Sequence, residues 1–376
     1  MAEPNKTIDL SKFKAEDFIK DLKGMVQFMD AARAGNKDTV CTEISLEEMV
    51  KEKYGISQAD FFEKIGINPR MTTMQNIFTM PNEGIRWIVP EIIRAAIVLG
   101  IRKAPFYPEI IAHDEHVGGL QVTMPHINMS DAAPAKINEA ETIPLGDISY
   151  GEKQVSIFKI GKGFKLTDEV RDYVSLDVLG IYLRDFGIQL GYALDAMAMD
   201  VLLNGNMTDG SESAPVIGVY DTTKGIQYRD LLHLWVRASR LGRNYQNIIG
   251  GEDQAIEMLD LPEFKKREQG TTQATLNIKS PVPNQASFYI HPGTPDNQLL
   301  LVDRAAAIIK LTAKELMLES ERIVSNQTQA TYATLTTGFC KMYHDAAVLL
   351  ASDKKFTEFG FPSFMTIDPF LHVGLE

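Results

Sequence analysis

The run from Leu176 to Leu203 contains no proline, opens behind Ser175 and stops at Asn204-Gly205. At about 100° per residue, Asp177, Arg184, Asp185, Gln189, Asp195 and Asp200 fall within about 160° of one another on a helical wheel. The other side is filled by Leu176, Leu179, Leu183, Phe186, Leu190, Leu194, Met197 and Val201. A helix this long with one continuous apolar face has to lie against a sheet or another helix along its whole course, since water would otherwise meet every one of those side chains. The rest of the chain must be arranged around this spine. Its Asp and Arg residues argue against a membrane span, and the next most apolar run, IIRAAIVLGI, is too short for one.

Upstream of the spine the texture changes twice. Residues 1–84 are charged and helix-forming, with Ser45-x-x-Glu48 and Ser57-x-x-Asp60 as N-terminal signatures and Gly55 and Gly66 as stops. From Gly84 to Pro134, Pro90 sits in the first turn of the helix EIIRAAIVLGIR, and Pro105, Pro108, Pro125 and Pro134 then recur. This predicts one helix followed by an extended arm, which must find partners elsewhere on the fold or on another chain. Residues 137–166 hold Val155, Ile157, Phe158 and Ile160 in a β-branched and aromatic run punctuated by glycines, which predicts a two-stranded excursion. Thr167 caps a short turn, TDEVRDY, before the spine begins.

Downstream, residues 215–310 read as an α+β unit. It has a helix around Arg229–Arg240, a short strand at Asn247-Ile248-Ile249 turning at Gly250-Gly251 into a second helix, and strands at Ser287–Ile290 and Gln298–Asp303. Strand formers dominate from Ala305 to Ser352, and the tail from Lys354 is rich in phenylalanine, the kind of apolar density that marks a contact.

Motifs that would carry chemistry fail on spacing. Gly161-Lys162-Gly163 lacks the Ser or Thr and the upstream glycine of a phosphate loop, and reads as a flexible strand-end turn. His113-Asp114-Glu115-His116 is not a helical zinc motif and reads as a solvated loop. Cys340 and His344 lack a third orienting group, so Cys340 reads as a buried structural thiol. No catalytic site, cofactor or metal is expected. Cys41 and Cys340 cannot form a disulfide framework, and MAEPNKTIDL has no apolar stretch behind a basic one, so a reducing compartment fits. With 38 basic and 50 acidic residues the net charge is −12, the wrong sign for a protein whose task is to neutralise phosphates or bind an anionic membrane.

Two stretches carry a resemblance. KLTDEVRDYVSLDVLGIYLRDFGIQLGYALDAMAMDVLLNGN leads into Pro215-Val216-Ile217-Gly218, and LLLVDRAAAIIKLTAKELMLESERIV is followed by QATYATLTTGFCKMYHDAAVLLAS. In that order they resemble the major capsid proteins of tailed bacteriophages, the Hong Kong 97-type fold that encapsulin nanocompartments share. The likeness covers roughly residues 85–352. It implies an α+β chain with an N-terminal helical segment at 1–84, an N-arm at 85–135, an extended loop at 136–166, a peripheral domain at 167–214 and 311–352 holding the spine helix, an axial domain at 215–310, and a C-terminal tail at 353–376. The first segment resembles the scaffold-like delta region that some relatives remove.

The resemblance further implies a structural, non-enzymatic subunit that self-assembles through hexamers and pentamers into an icosahedral shell around double-stranded DNA. Val155, Ile157, Phe158 and Ile160 would make intersubunit contacts from the extended loop. Portal, scaffolding and decoration proteins would be further partners, with no specific nucleic-acid recognition and no membrane. The protein would be found in the virion, after assembly in the host bacterial cytoplasm. Some relatives weld subunits through Lys–Asn bonds; Lys153, Lys159, Lys162, Lys165 and Asn326 are the residues that could be compared, and nothing marks them out from ordinary surface residues. The alternatives are an encapsulin-type bacterial shell and a soluble α+β enzyme.

Overall fold

The computed structural model describes residues 15–35, 43–68, 70–80, 83–103, 106–127, 148–205, 213–240, 242–261, 286–356 and 360–361. The chain begins with α1 (Ala15–Ala34), α2 (Leu46–Tyr54), α3 (Gln58–Lys64), α4 (Met74–Thr79), a 3-10 turn over Glu83–Ile88, and α5 (Val89–Lys103). Ser45 and Glu48 form the reciprocal capping box at the start of α2, and Gly55 ends it in the left-handed conformation that glycine adopts without steric cost. Ser57 accepts from the backbone N–H of Asp60 at the start of α3.

These helices do not stand apart. Leu22, Met29, Val50, Phe61, Met74 and Ile77 belong to the same buried cluster as α5 and the spine helix. Arg33, 1% exposed, fixes that layer: its Nη1 and Nη2 donate to Glu91 Oε1 and Oε2 at 2.6 and 2.8 Å. Its Nη2 also donates to the Ile44 carbonyl at 2.6 Å, which Arg94 Nη2 reaches at 2.9 Å. Burial, and then the charge of Arg33, hold the Arg94 guanidinium below its ordinary pKa.

The chain continues through α6 (Tyr107–Ile110), β1 (Ile111–His116), β2 (Gln121–Ile127), β3 (Ile148–Ser156), β4 (Phe158–Thr167), α7 (Asp168–Tyr173) and the spine, α8 (Leu176–Asn204). After it come β5 (Val216–Val219), α9 (Tyr228–Arg240), β6 (Asn247–Gly250), α10 (Glu252–Asp260), β7 (Ser287–Ile290), β8 (Gln298–Val302), β9 (Ile308–Ile323), β10 (Thr328–Lys341) and β11 (Ala347–Lys355). Among the described residues three sheets result: β1-β9-β10-β4, β5-β11-β8-β6-β7, and the pair β2-β3. The segment 311–352 therefore contributes β9 and β10 to the first sheet and β11 to the second.

Two expectations are corrected here. The two-stranded excursion is not confined to 137–166: β3 pairs antiparallel with β2 from the arm, while β4 runs along β10 from Phe158↔Thr337 to Thr167↔Thr328. The arm thus pairs within its own chain, since β1 also lies parallel to β9. Gly161 and Gly163 are not a strand-end turn but mid-strand in β4, where a Cβ would collide with Thr334 and Tyr332 on β10.

α8 lies across α5 at a crossing of two glycines. A Cβ on Gly100 would fall on the carbonyl oxygen of Arg184, and one on Gly187 on that of Ile97, so the two backbones touch. Among the described residues α8 is the one helix long and apolar enough to cross a membrane, but 56% of its most apolar window is buried inside the protein. A second core lies around α9, where Leu231, Leu234 and Trp235 meet Ile217, Ile248, Leu299, Leu301 and Val348 of the five-stranded sheet.

Candidate functional site

The spine helix carries the largest set of predicted residues. Leu176, Leu179, Leu183, Phe186, Leu190 and Leu194 are buried, whereas Met197 and Val201 are half-buried at the edge of the core. Beyond Leu194 the burial rotates onto Ala198, Met199, Leu202 and Leu203. The wheel treats the helix as one-sided, and it is not: Gly187 faces α5, and Asp195, on the same turn-to-turn line, faces the start of α6. Asp195 is accordingly not a solvated member of the polar face. It is 1% exposed and accepts from the Tyr107 and Phe106 backbone N–H groups at 2.9 and 3.4 Å. Ser175 occupies the N-cap position in extended conformation but its side chain makes no capping bond.

The outward face of α8 is also less polar than the charged residues suggested. Val178, Ile181, Tyr182 and Tyr192 are exposed along it, Tyr182 by 70%. Large apolar side chains left in water along one helix face mark a contact surface. The signal is present in the sequence: on the wheel these four fall among Asp177, Asp185 and Gln189, so one face carries both charge and apolar bulk.

The four predicted contact residues of the loop separate. Val155 and Ile157 are buried in this subunit with Val117, Leu311, Ala313 and Cys340. Ile160 is half-buried against the main core, and Phe158 is 56% exposed at the first pair of the β4–β10 ladder. Lys159, Lys162 and Lys165 are exposed on β4; Lys162 Nζ donates to Gln189 Oε1 on α8, lying 5.7 Å from the centre of the Phe186 ring. Residues 128–147, the end of the arm and the start of the extended loop, lie outside the described residues, as do the side chain of Lys153 and the tail after Phe361. Phe356 and Phe361 pack within the chain, with ring centroids 5.1 and 4.9 Å from His233 on α9.

The His113–His116 run is strand, not loop. Asp114 accepts from Lys310 Nζ at 2.7 Å and from the Thr312 hydroxyl at 3.1 Å, while His116 Nδ1 stands 3.6 Å from Glu315. Asp114 and His116 are thereby taken up by β9, His113 and Glu115 are exposed, and no cluster of three metal-ligating residues occurs among the described residues. Cys340 lies in β10, buried, its thiol donating to the Lys341 carbonyl at 3.6 Å. The depressions flanking α3, lined by residues such as Asp60, Phe62 and Glu63, bring no nucleophile to a base. What the molecule offers is surface: the outward stripe of α8 and the β2-β3 ribbon, which joins neither larger sheet.

Among solved structures, the chain is similar to that of Microbacterium phage Oxtober96, at 11% identity over 66% of this chain and 91% of that one, TM-score 0.48. It is similar to the capsid of cyanophage P-SCSP1u, at 15% identity over 66% and 88%, TM-score 0.48. It is similar also to the holo-SrpI encapsulin complex from Synechococcus elongatus, at 8% identity over 67% and 89%, TM-score 0.47. No curated protein matches the chain. The family model described as phage capsid protein matches residues 151–355. That match runs from within β3 to the last residue of β11, through both large sheets and the spine, and covers more than half of the sequence: this chain is a capsid protein, a member of the phage capsid protein family.

Proposed function

We propose that the protein is the major capsid subunit of a tailed phage, of the Hong Kong 97 type, which assembles through hexamers and pentamers into an icosahedral shell around double-stranded DNA. The observation that carries this reading is the β2-β3 ribbon, a two-stranded pair that among the described residues joins neither larger sheet. Two strands alone are marginal in water, so such a ribbon gains its stability by lying on a neighbour. The exposed residues of α8 are a second surface that a neighbouring copy would cover, and many modest contacts of this kind add up to a stable assembly. The net charge of −12 suits the wall of a DNA container, because simple repulsion keeps the contents from adhering irreversibly. The subunit's role is structural, in the virion after assembly in the host cytoplasm. Portal, scaffolding and decoration proteins are its natural partners in that setting.

Negative-stain imaging of purified protein, paired with extraction of nuclease-protected contents, tests the proposal. Closed multi-megadalton shells, with DNA as the contents when phage-derived particles are extracted, are the expected result. Monomers or dimers under every assembly condition, viral partners included, would reject the shell, and shells holding a cargo enzyme would reject the phage in favour of the encapsulin.

A further inference from the structure

Residues 106–110 occupy a junction between layers. The Phe106 ring stacks on Tyr289 of β7 at 5.5 Å and meets His291 edge-on at 5.4 Å. Tyr107 meets Phe339 of β10 edge-on at 6.0 Å. The Glu109 carbonyl accepts from Asn247 Nδ2 of β6 at 2.6 Å, and Arg304 Nη1 donates to Glu109 Oε2 at 3.0 Å. The five-stranded sheet, the four-stranded sheet and the spine helix therefore meet on this short segment. It also leads directly into β1, from which the chain continues to the ribbon.

At the centre of the junction, Asp195 of α8 is buried; among the described residues no cation is bonded to it, and its hydrogen-bond partners are the two backbone N–H groups of Phe106 and Tyr107. A carboxylate in that position has lost its water and gained two neutral donors, which do not replace a counter-ion. The charged groups that face the junction lie one residue further out. Lys310, Asp114 and Glu315 stand around Tyr107, His291 stands beside Phe106, and Arg304 pairs with Glu109.

We propose that Asp195 makes this junction a proton-linked joint, in which the protonated carboxyl keeps Phe106 and Tyr107 seated against the spine and its ionisation loosens them. Burial pushes the Asp195 carboxyl up to about 6, against the pull of the two backbone donors. Exposed to water in an opened joint, the same group returns to the ordinary aspartate range near 3.9. The seated joint binds the proton more tightly, so opening releases it. Raising the pH from about 4 to about 7 increases the open population by up to about a hundred-fold, one factor of ten for each unit of difference.

The test is hydrogen–deuterium exchange in the peptide spanning residues 104–110 of the full chain, from pH 4.5 to 7.5, corrected for the intrinsic pH dependence of exchange. In the wild type, protection should fall ten- to a hundred-fold across that range. Asp195→Asn should give a flat profile, and Asp195→Ser serves the same purpose if the amide variant does not fold. His291→Gln removes the other group that titrates beside Phe106 and should keep the wild-type profile. A flat wild-type profile, a slope retained in both Asp195 variants, or a slope abolished by His291→Gln would each overturn the proposal. None of these outcomes depends on whether shells form.

Discussion

The spine helix and the β2-β3 ribbon are built on opposite terms. α8 is gripped from several sides: leucines sink into the main core, Gly187 lets α5 touch its backbone, and Asp195 holds the chain at Phe106 and Tyr107. The ribbon has one strand pairing and, at its base, a small cluster formed with Leu311, Ala313 and Cys340. The first region has its inner face fully packed within one chain and, of its large apolar side chains, leaves only the outward stripe of Val178, Ile181, Tyr182 and Tyr192 open. The second has, among the described residues, no further strand on either edge, and an unpaired edge is a template for another chain. The difference separates folding from assembly, and variants can be chosen to move one without the other.

The largest effect should come from the helix crossing. Gly187→Leu places a side chain where the Ile97 carbonyl already lies, so the two helices must separate; a loss above about 5 kcal/mol is expected, read as failure to give a cooperative thermal transition. Next is Arg33→Met, which leaves the buried Glu91 carboxylate without its bidentate partner. Removing one half of a buried pair costs about 3–5 kcal/mol, measurable as a lower midpoint in urea.

The pH dependence of stability sharpens the spine side further. Because Asp195 is raised to about 6 in the folded chain, the folded state holds a proton that the unfolded state has already released between about pH 4 and pH 6. Its contribution to stability is therefore full below about pH 4 and lost as the pH rises to 6, a change of about 2–3 kcal/mol. Urea titrations of wild type and Asp195→Asn over that range should show the fall in the first and its absence in the second.

The ribbon should respond in the reverse manner. Replacing residues 123–154 with Asn-Gly joins Val122 to Val155, which face each other across the pair, through a two-residue hairpin turn and keeps the buried base. Stability should stay within about 1 kcal/mol of wild type while shells are absent or irregular. The smallest effect on folding is expected for Tyr182→Ser on the outward face of α8, within about 0.5 kcal/mol, with the defect again confined to assembly as read by sedimentation.

Much of the fold could be read from local signals, because each rests on residues a few positions apart. The spine, its stop at Asn204-Gly205, the capping box at Ser45 and the strand–turn–helix at Asn247–Gly251 are all of this kind. What could not be read depends on distant partners. β3 pairs with a strand on the far side of residues 128–147, and β4 with one more than a hundred and fifty residues downstream, so the run containing Val155 and Phe158 looked like one excursion when it is the end of one pair and the start of another sheet. Deleting Leu145–Phe164 as a unit would consequently remove most of β4 as well as β3. The buried charges were hidden for the same reason. On a wheel Asp195 belongs with Asp177 and Asp185, and Arg33 looks like any charge ending a helix, until the residues that satisfy them arrive from Phe106 and Glu91.

The central claim is that the subunit folds around its spine alone and that the ribbon is completed by a neighbour. Hydrogen exchange measured on assembled particles and on dissociated subunits tests it directly. Amides of α8 should be protected in both states, and those of β2 and β3 strongly protected in the particle alone. Ribbon amides equally protected in the isolated subunit would contradict the account.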